Sequence, residues 1–400
     1  MTVQCRPQPI DSPFAYGRSQ WPNPTQELIA LARIRRWLLK EGQCLSGLSL
    51  QQMDNGYAVA DPLVDELRLT PLTLAQVLAQ PSLHANGAAL SAHMHQLQPD
   101  IDPRLVALGA AAYRRYPLLQ IWLLRNVSLM TGYSIPALSV PLLHTGALVS
   151  DALPRLHRTY EFIQTVSRAD VLEIGGPAWR YCVNVRQIHA YVRQSLTPSW
   201  DVAYWGQPLN QSDMIATHLQ FSLLIVLGYR WFGARLSAEE QQGIWMLWRQ
   251  ISTWLGVDPA AIPRTEQDSL RWLYDYAATQ KFDYSLGKPL AQGLHALPTQ
   301  IVGPDNRLAQ WTEAVNASVT RLLVGDDVAD GLGLPTYPAR YGLLAITPVL
   351  FGLEFGADHV PMLRRSLNRL AAWRHTRVDA WMADNVALLT KTSQSTLVEE

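Results

Sequence analysis

One stretch, "VRQIHAYVRQ" at residues 185–194, places a single histidine between two arginines. Arg186 precedes His189 by three residues and Arg193 follows it by four, so an α-helix would carry all three on nearly the same face. A lone buried imidazole can be satisfied by one carbonyl group, but each buried guanidinium needs an anion. A haem would meet both needs, because its iron takes a neutral imidazole nitrogen and its propionates take arginines.

A second group of reactive side chains lies in the preceding segment, "DALPRLHRTYEFIQTV", which begins at Asp151, a predicted helix N-cap. Arg155 and Thr159 share a helix face with Phe162, and Arg158 lies beside them. A cation and a hydroxyl followed by apolar residues would suit the side of a haem where a gas ligand and an apolar substrate bind. A charged helix start at the protein surface is the alternative interpretation.

Helices must position both groups, and the chain is rich in helix signals. Gly176-Pro177 places a proline in the first turn of a helix that stops before Pro198. The stripe predicted to be buried along this helix consists of Ala178, Cys182, Val185, His189, Val192 and Leu196. The pattern Ser237-x-x-Glu240 is a capping box at the start of another helix. Since no alternating run bounded by hairpin turns is found, we expect an all-α fold.

The composition indicates a chain that buries a large core. Of its 400 residues, 48% are hydrophobic and only 16% are charged, whereas about 25% are charged in a typical soluble domain. No Gly/Ser-rich or Pro-rich linker separates two cores. We predict an N-terminal coil arm over residues 1–24, a single domain over 25–390 and a polar tail over 391–400.

Charge and cysteine usage narrow the possible partners and the compartment. Lys+Arg and Asp+Glu number 33 each, which argues against a nucleic-acid partner. Three scattered cysteines and the lack of a visible secretion signal favour the cytoplasm. Prolines and glycines interrupt the longest uncharged stretch, residues 126–150, which is a poor membrane span. Basic amphipathic segments at 28–40 and 362–377 leave contact with a membrane surface open without predicting it, and the oligomeric state also stays open.

The combined pattern resembles a known family. The chain contains the pattern R-x-x-[RK]-T, followed about thirty residues later by R-x-x-H-A-x-x-R. This pattern resembles that of the latex-clearing (rubber oxygenase) and MpaB-type oxygenases. The stretches "WGQPLNQSDMIATHLQFS", "WRQISTWLGVDPAAIP" and "TRLLVGDDVADGLGLP" resemble later blocks of that family, so the resemblance spans about residues 100–340. It implies a globin-like helical core with peripheral helices around a b-type haem.

The resemblance also implies roles for individual residues. His189 corresponds to the axial ligand of the haem iron. The distal residues, which would act in catalysis, are Arg155, Arg158 and Thr159. The arginines around the haem are Arg186, Arg193 and Arg321.

Two positions depart from the latex-clearing proteins. Arg158 stands where they have a lysine that can ligate iron, and an arginine keeps its proton and has no lone pair to give. Ser139 stands where they have a glutamate base, and no glutamate occurs between Glu66 and Glu161. We therefore expect no resting bond between arginine and iron, and a small intracellular lipid or terpenoid as substrate instead of polyisoprene.

These observations lead to one main hypothesis and two alternatives. The main hypothesis is a haem b-dependent oxygenase that acts with O2 on a hydrophobic, unsaturated substrate, by C=C cleavage or by oxygen insertion. The first alternative is a non-catalytic haem protein that binds or senses a ligand. The second is a haem-free helical scaffold that binds lipid or another protein.

Overall fold

The computed structural model describes residues 53–338, apart from residues 54, 68–72, 85, 145–151, 169 and 281–282, and short runs between 342 and 380. The predicted arm at 1–24, the tail at 391–400 and the N-cap Asp151 lie outside the described residues. Helices make up most of what is described, and no strand occurs in that part of the chain, which confirms the all-α prediction. The assignment of residues 25–390 to one domain stays a prediction.

In chain order the helices are α1 (Pro62–Asp65), α2 (Leu74–Ala79), α3 (Gly87–His95), α4 (Pro103–Tyr113), α5 (Pro117–Leu123), α6 (Met130–Tyr133), α7 (Pro136–His144), α8 (Ala152–Val166) and α9 (Pro177–Leu196). They continue as α10 (Val202–Trp205), α11 (Gln211–Phe221), α12 (Leu223–Trp231), α13 (Ala238–Trp254), α14 (Glu266–Thr279), α15 (Gly287–His295), α16 (Leu297–Val302), α17 (Arg307–Leu323) and α18 (Asp326–Gly331). A π-helical turn over Leu124–Leu129 joins α5 to α6, and 3-10 turns cover Pro81–Leu83 and Thr197–Ser199.

Two of the predicted helix starts are confirmed. Helix α9 begins at Pro177 directly after Gly176, with the proline in the first turn, where an N–H group would lack a partner in any case. At the start of α13, the Ser237 side chain accepts from the Glu240 backbone while the Glu240 side chain accepts from the Ser237 backbone. This capping box satisfies two backbone donors at the helix end.

One continuous apolar core runs through most of the described helices, including α4, α8, α11, α12 and α13. Helices α4 and α13 approach closely because Gly109 faces Gly243, where a Cβ atom on either glycine would overlap backbone atoms of the other helix. An aromatic cluster fills the space beside them: the Trp248 ring stacks on Phe221 and meets the edges of Tyr113 and Phe162. Phe162 belongs to α8, so this cluster fixes the apolar half of α8 against the core.

The apolar segment 221–233 contains the last residue of α11 and all of α12, and its residues 223–226 are fully or almost fully buried. No helix within the described ranges is both long and apolar enough to cross a bilayer.

Candidate active site

Helix α9 contains His189 and the two arginines Arg186 and Arg193. Arg186 and Arg193 are buried, with 1% and 6% of their surface exposed, and His189 is half-buried. The end of the helix is tied by Thr197, whose Oγ1 donates to the Arg193 carbonyl at 2.9 Å. The apolar positions predicted to line this face are buried, except for the half-buried Val185.

His189 holds an unpaired nitrogen inside the protein. Its Nδ1 is buried and has no hydrogen-bond partner among the residues that the structure describes. Burial lowers the pKa of the imidazole to about 4; Arg193 and Arg186 also lower it, while Asp61 opposes the shift. The ring is therefore neutral at pH 7, which is the form that ligates a metal. Because a buried polar atom without a partner costs about 1 to 3 kcal/mol, this nitrogen is suited to a group that the chain itself does not supply.

Arg186 pairs with a carboxylate of the chain. Its Nε and Nη2 donate to Asp61 Oδ2 and Oδ1 at 2.7 and 2.8 Å, and its Nη1 contacts Met94 Sδ at 3.2 Å. This arrangement is the two-point pairing typical of a guanidinium and a carboxylate. Asp61 is thus an anion for the buried Arg186, and contact of Arg186 with a haem propionate stays a prediction.

Arg193 pairs with a second carboxylate, that of Asp65. Its Nε donates to Asp65 Oδ1 at 2.7 Å. Its Nη2 lies 2.7 Å from the same oxygen and 3.9 Å from Asp61 Oδ2, but it is not aligned for a hydrogen bond. Burial raises the pKa of Asp65, and Arg193 opposes that shift. Asp61 and Asp65 were missed in the sequence because they lie more than 120 residues from their partners.

A small cavity of about 190 Å³ opens beside Arg193. Its lining consists of Val64, Asp65, Ala190, Arg193, Gln194, Thr197, Gln207 and Pro208. An apolar cavity of about 150 Å³ holds a benzene molecule, so this volume suits waters or a small molecule and is too small for a porphyrin. His189 is not part of the lining, and the cavity is therefore separate from the imidazole.

Helix α8 packs beside α9 and carries the three predicted distal residues. Arg155 is half-buried, and its guanidinium lies 5.1 Å from the centre of the Tyr133 ring. Burial, together with Arg158, lowers the pKa of Arg155 to about 10, which still leaves it charged at pH 7. The Thr159 Oγ1 donates to the Arg155 carbonyl at 2.9 Å. Arg158 is exposed, so Arg155 is the cation of this helix that the protein partly shields from water.

Tyr133 is a further polar residue near Arg155 that the sequence did not indicate. It is 1% exposed, and its buried hydroxyl has no hydrogen-bond partner within the described part of the chain. Ser139, the residue at the position of the family's glutamate, is fully buried, and its Oγ donates to the Tyr133 carbonyl at 3.4 Å. The residue at position 139 therefore supplies a hydroxyl that bonds to backbone, and no carboxylate.

Arg321 is buried in α17 and holds the segment that follows its own helix. It donates to the carbonyl oxygens of Leu334 and Pro335 and pairs with Asp326 and Asp330. Arg321 thereby stabilises the turn that follows α18. These contacts do not bring Arg321 to His189, so its role beside a haem stays a prediction.

Other histidines are satisfied by the protein. His93 Nε2 lies 2.7 Å from the Thr253 carbonyl, His95 Nδ1 lies 2.8 Å from the Ser91 carbonyl, and the buried His218 Nδ1 lies 2.8 Å from Ser252 Oγ. In the part of the chain that the structure describes, no group of three or more His, Cys, Asp or Glu residues could hold a metal ion. A haem needs a single protein nitrogen for its iron, and His189 differs from these three histidines in having an unpaired buried one.

Comparisons with known proteins identify the family to which the chain belongs. Over residues 119–347, more than half of its length, the chain matches the family model described as "ER-bound oxygenase mpaB/B'/Rubber oxygenase, catalytic domain". The chain belongs to this oxygenase family. Its structure is similar to that of latex clearing protein in the closed state, with a TM-score of 0.54 and 18% identity, over 80% of this chain and 84% of that one. At this identity the likeness shows a shared fold. No curated protein sequence matches the chain.

Membership of the mpaB/rubber oxygenase family implies oxygenase chemistry with O2 and a small-molecule substrate, and a metal or haem cofactor. The residues of α9 fit a haem in chemical type, since the neutral His189 imidazole has an unpaired nitrogen and lies among buried arginines. The two carboxylates that pair with those arginines are the feature that the sequence did not anticipate.

Proposed function

We propose that this protein is a haem b-dependent oxygenase, located in the cytoplasm, that acts with O2 on a hydrophobic, unsaturated, lipid-like or terpenoid-like molecule. The reaction would be oxidative C=C cleavage or oxygen insertion. The observation that carries the proposal is the buried, unpaired Nδ1 of His189, in a ring kept neutral by burial. The family membership supports the oxygenase class.

Each residue has a role that follows from its chemistry. His189 would hold the haem iron, and the haem would supply the O2 binding and activation that side chains cannot provide. Arg155, half-buried and charged, would favour negative charge that develops on the oxygen side of the site. Thr159 already donates its proton to the Arg155 carbonyl, so its oxygen is placed to accept a hydrogen bond. The buried Phe162 would form the apolar end of the site.

The first experiment is an absorption spectrum of the purified protein, followed by a pyridine haemochrome assay. We expect one b-type haem per chain and its loss in His189→Ala, because the axial bond is the main anchor of a haem without covalent links. His93→Ala is the matched control, since His93 is also half-buried but its ring nitrogen already has a backbone partner. A fully loaded His189→Ala variant would refute the assignment.

A non-catalytic haem protein that binds or senses a ligand is the second candidate. The buried Ser139 hydroxyl bonds to backbone and Arg158 is exposed, so the described site lacks a carboxylate base near Arg155. O2 consumption by the reduced holoprotein, measured with an unsaturated terpenoid and with its saturated analogue, separates the two functions. Uptake that depends on the double bond supports the oxygenase, and no uptake with a series of unsaturated lipids supports a sensor.

A further inference from the structure

The Asp61 carboxylate bridges the two arginines of α9. It accepts two hydrogen bonds from Arg186, at 2.7 and 2.8 Å, and its Oδ2 lies 3.9 Å from Arg193 Nη2. Arg186 comes three residues before His189 and Arg193 four residues after it, so the two arginines lie one helical turn to either side. The carboxylate therefore lies across the turn of α9 that presents His189.

Neighbouring groups hold Asp61 in this position. Asp61 is the N-cap residue of α1, but its side chain makes no capping bond and points to Arg186 instead. The Gln211 amide donates to the Ala60 carbonyl and to the Gly256 carbonyl, which ties the backbone on both sides of the carboxylate. At Gly256 a Cβ atom would overlap Asp61 Oδ2 and lie 3.0 Å from Arg186 Nε. The ion pair thus depends on a glycine directly beside it.

Asp65 provides a natural comparison on the same short helix. Its ion pair is with Arg193 alone among the described residues, and its side chain is 34% exposed, against 5% for Asp61. Asp65 therefore lies at the solvent-exposed edge of the cluster, while Asp61 lies at its buried centre, between both guanidinium groups.

We propose that Asp61 is a positioning residue for the group held by His189. Through Arg186 and Arg193 it fixes the turn of α9 that carries the imidazole, and it supplies the negative charge that offsets two cations beside the ring. This inference rests on the proposed function, in which that group is a haem. A fixed negative charge near a haem stabilises ferric over ferrous iron, because the ferric state carries one more positive charge.

The test compares Asp61→Asn with Asp65→Asn in the haem-loaded full chain by spectroelectrochemistry. At a potential poised at the wild-type midpoint, Asp61→Asn should raise the ferrous-to-ferric ratio several-fold, because it removes a buried negative charge from the cluster around His189. Asp65→Asn should change the ratio less than about twofold, because water screens its exposed carboxylate. An unmoved ratio in Asp61→Asn, or an equal shift in both variants, would overturn the proposal.

A purely structural tie between α1 and α9 would destabilise the fold without moving the potential, so thermal unfolding of both variants is recorded alongside. If Asp61→Asn does not fold, Asp61→Glu takes its place, because it keeps every charge and moves the carboxylate out of its two-point pairing with Arg186. The ferrous-to-ferric ratio should then rise in the same direction, and an unchanged ratio would again overturn the proposal.

A second readout does not need haem. In haem-free protein labelled with 15N-histidine, the His189 resonances are identified by their absence in His189→Gln. Asp61→Asn should shift these resonances and Asp65→Asn should leave them in place, and the opposite pattern would overturn the proposal. If the wild-type chain takes up no haem, the proposed function fails, while this comparison still decides the role of Asp61.

Discussion

Gly256→Ala is the most informative single substitution for the cluster around His189. Helix α13 ends at Trp254, and Gly256 follows at a φ of +94°, where its N–H bonds to the Thr253 carbonyl. A left-handed glycine just past a helix end is a common termination, and a side chain there strains the backbone. In this case the added Cβ would also collide with Asp61 Oδ2.

The two costs can be separated with a second glycine. Gly303 ends α16 at a φ of +100°, and a Cβ atom there would meet nothing within 4 Å. Gly303→Ala should therefore lower the free energy of unfolding by the backbone cost alone, about 1 to 3 kcal/mol. Gly256→Ala also carries a backbone cost, at a φ of +94°, and in addition disrupts a buried ion pair, which costs about 3 to 5 kcal/mol when one partner is lost. We expect Gly256→Ala to cost about 3 kcal/mol more than Gly303→Ala.

Urea unfolding followed by tryptophan fluorescence gives both free energies under one set of conditions. Circular dichroism in native buffer checks that each variant starts folded. Equal destabilisation by the two substitutions, within about 1 kcal/mol, would show that the Asp61 carboxylate can shift without loss. The rigid bridge between Arg186 and Arg193 would then be refuted.

Three further predictions test other parts of the site. Tyr133→Phe removes a buried hydroxyl that has no partner among the described residues, so thermal melts should show a more stable protein, by about 1 kcal/mol; a less stable variant would contradict this. Burial raises the pKa of Asp275 to about 7, with Arg271 opposing, so the folded protein retains a proton that the unfolded chain loses. The stabilisation from this proton is full below about pH 4 and is lost as the pH rises to about 7. Urea unfolding at pH 5 and pH 8 should therefore show a fall in the free energy of unfolding for wild type that is absent in Asp275→Asn. The same fall in the variant would refute the raised pKa of Asp275. Thr159→Ala removes a hydrogen bond to its own helix, so the haem content should be unchanged and the free energy of unfolding should stay within about 0.5 kcal/mol of wild type. Turnover should fall, and unchanged turnover would remove Thr159 from the site.

Local sequence signals predicted the helices well. Pro177 and the Ser237–Glu240 capping box mark helix starts because they act on backbone groups within one turn, and the all-α class follows from many such signals. The spacing of Arg186, His189 and Arg193 predicted one side of α9 for the same reason.

The long-range partners could not be predicted in this way. The pairing of Arg186 with Asp61 joins residues 125 positions apart, and no local pattern indicates which carboxylate meets a given guanidinium. The only sequence signal is "DPLVD", in which Asp61 and Asp65 lie four residues apart, on one face of a helical turn. Tyr133 was missed because a tyrosine in an apolar stretch is ordinary core, and its unpaired hydroxyl becomes visible only in three dimensions.

The carboxylates change what an arginine variant can reveal about cofactor binding. From the sequence, a buried Arg186 suggested a propionate partner, so haem loss on its replacement would have reported that contact. With Asp61 paired to Arg186 at 2.7 and 2.8 Å, removing the arginine leaves a buried carboxylate unpaired. That destabilises the protein whether or not haem is present. Haem loss from such a variant would therefore report damage to the fold as readily as a lost propionate contact. Only replacement of both members of the pair by uncharged residues removes the charge without leaving its partner unpaired, and so isolates any contribution of Arg186 to cofactor binding.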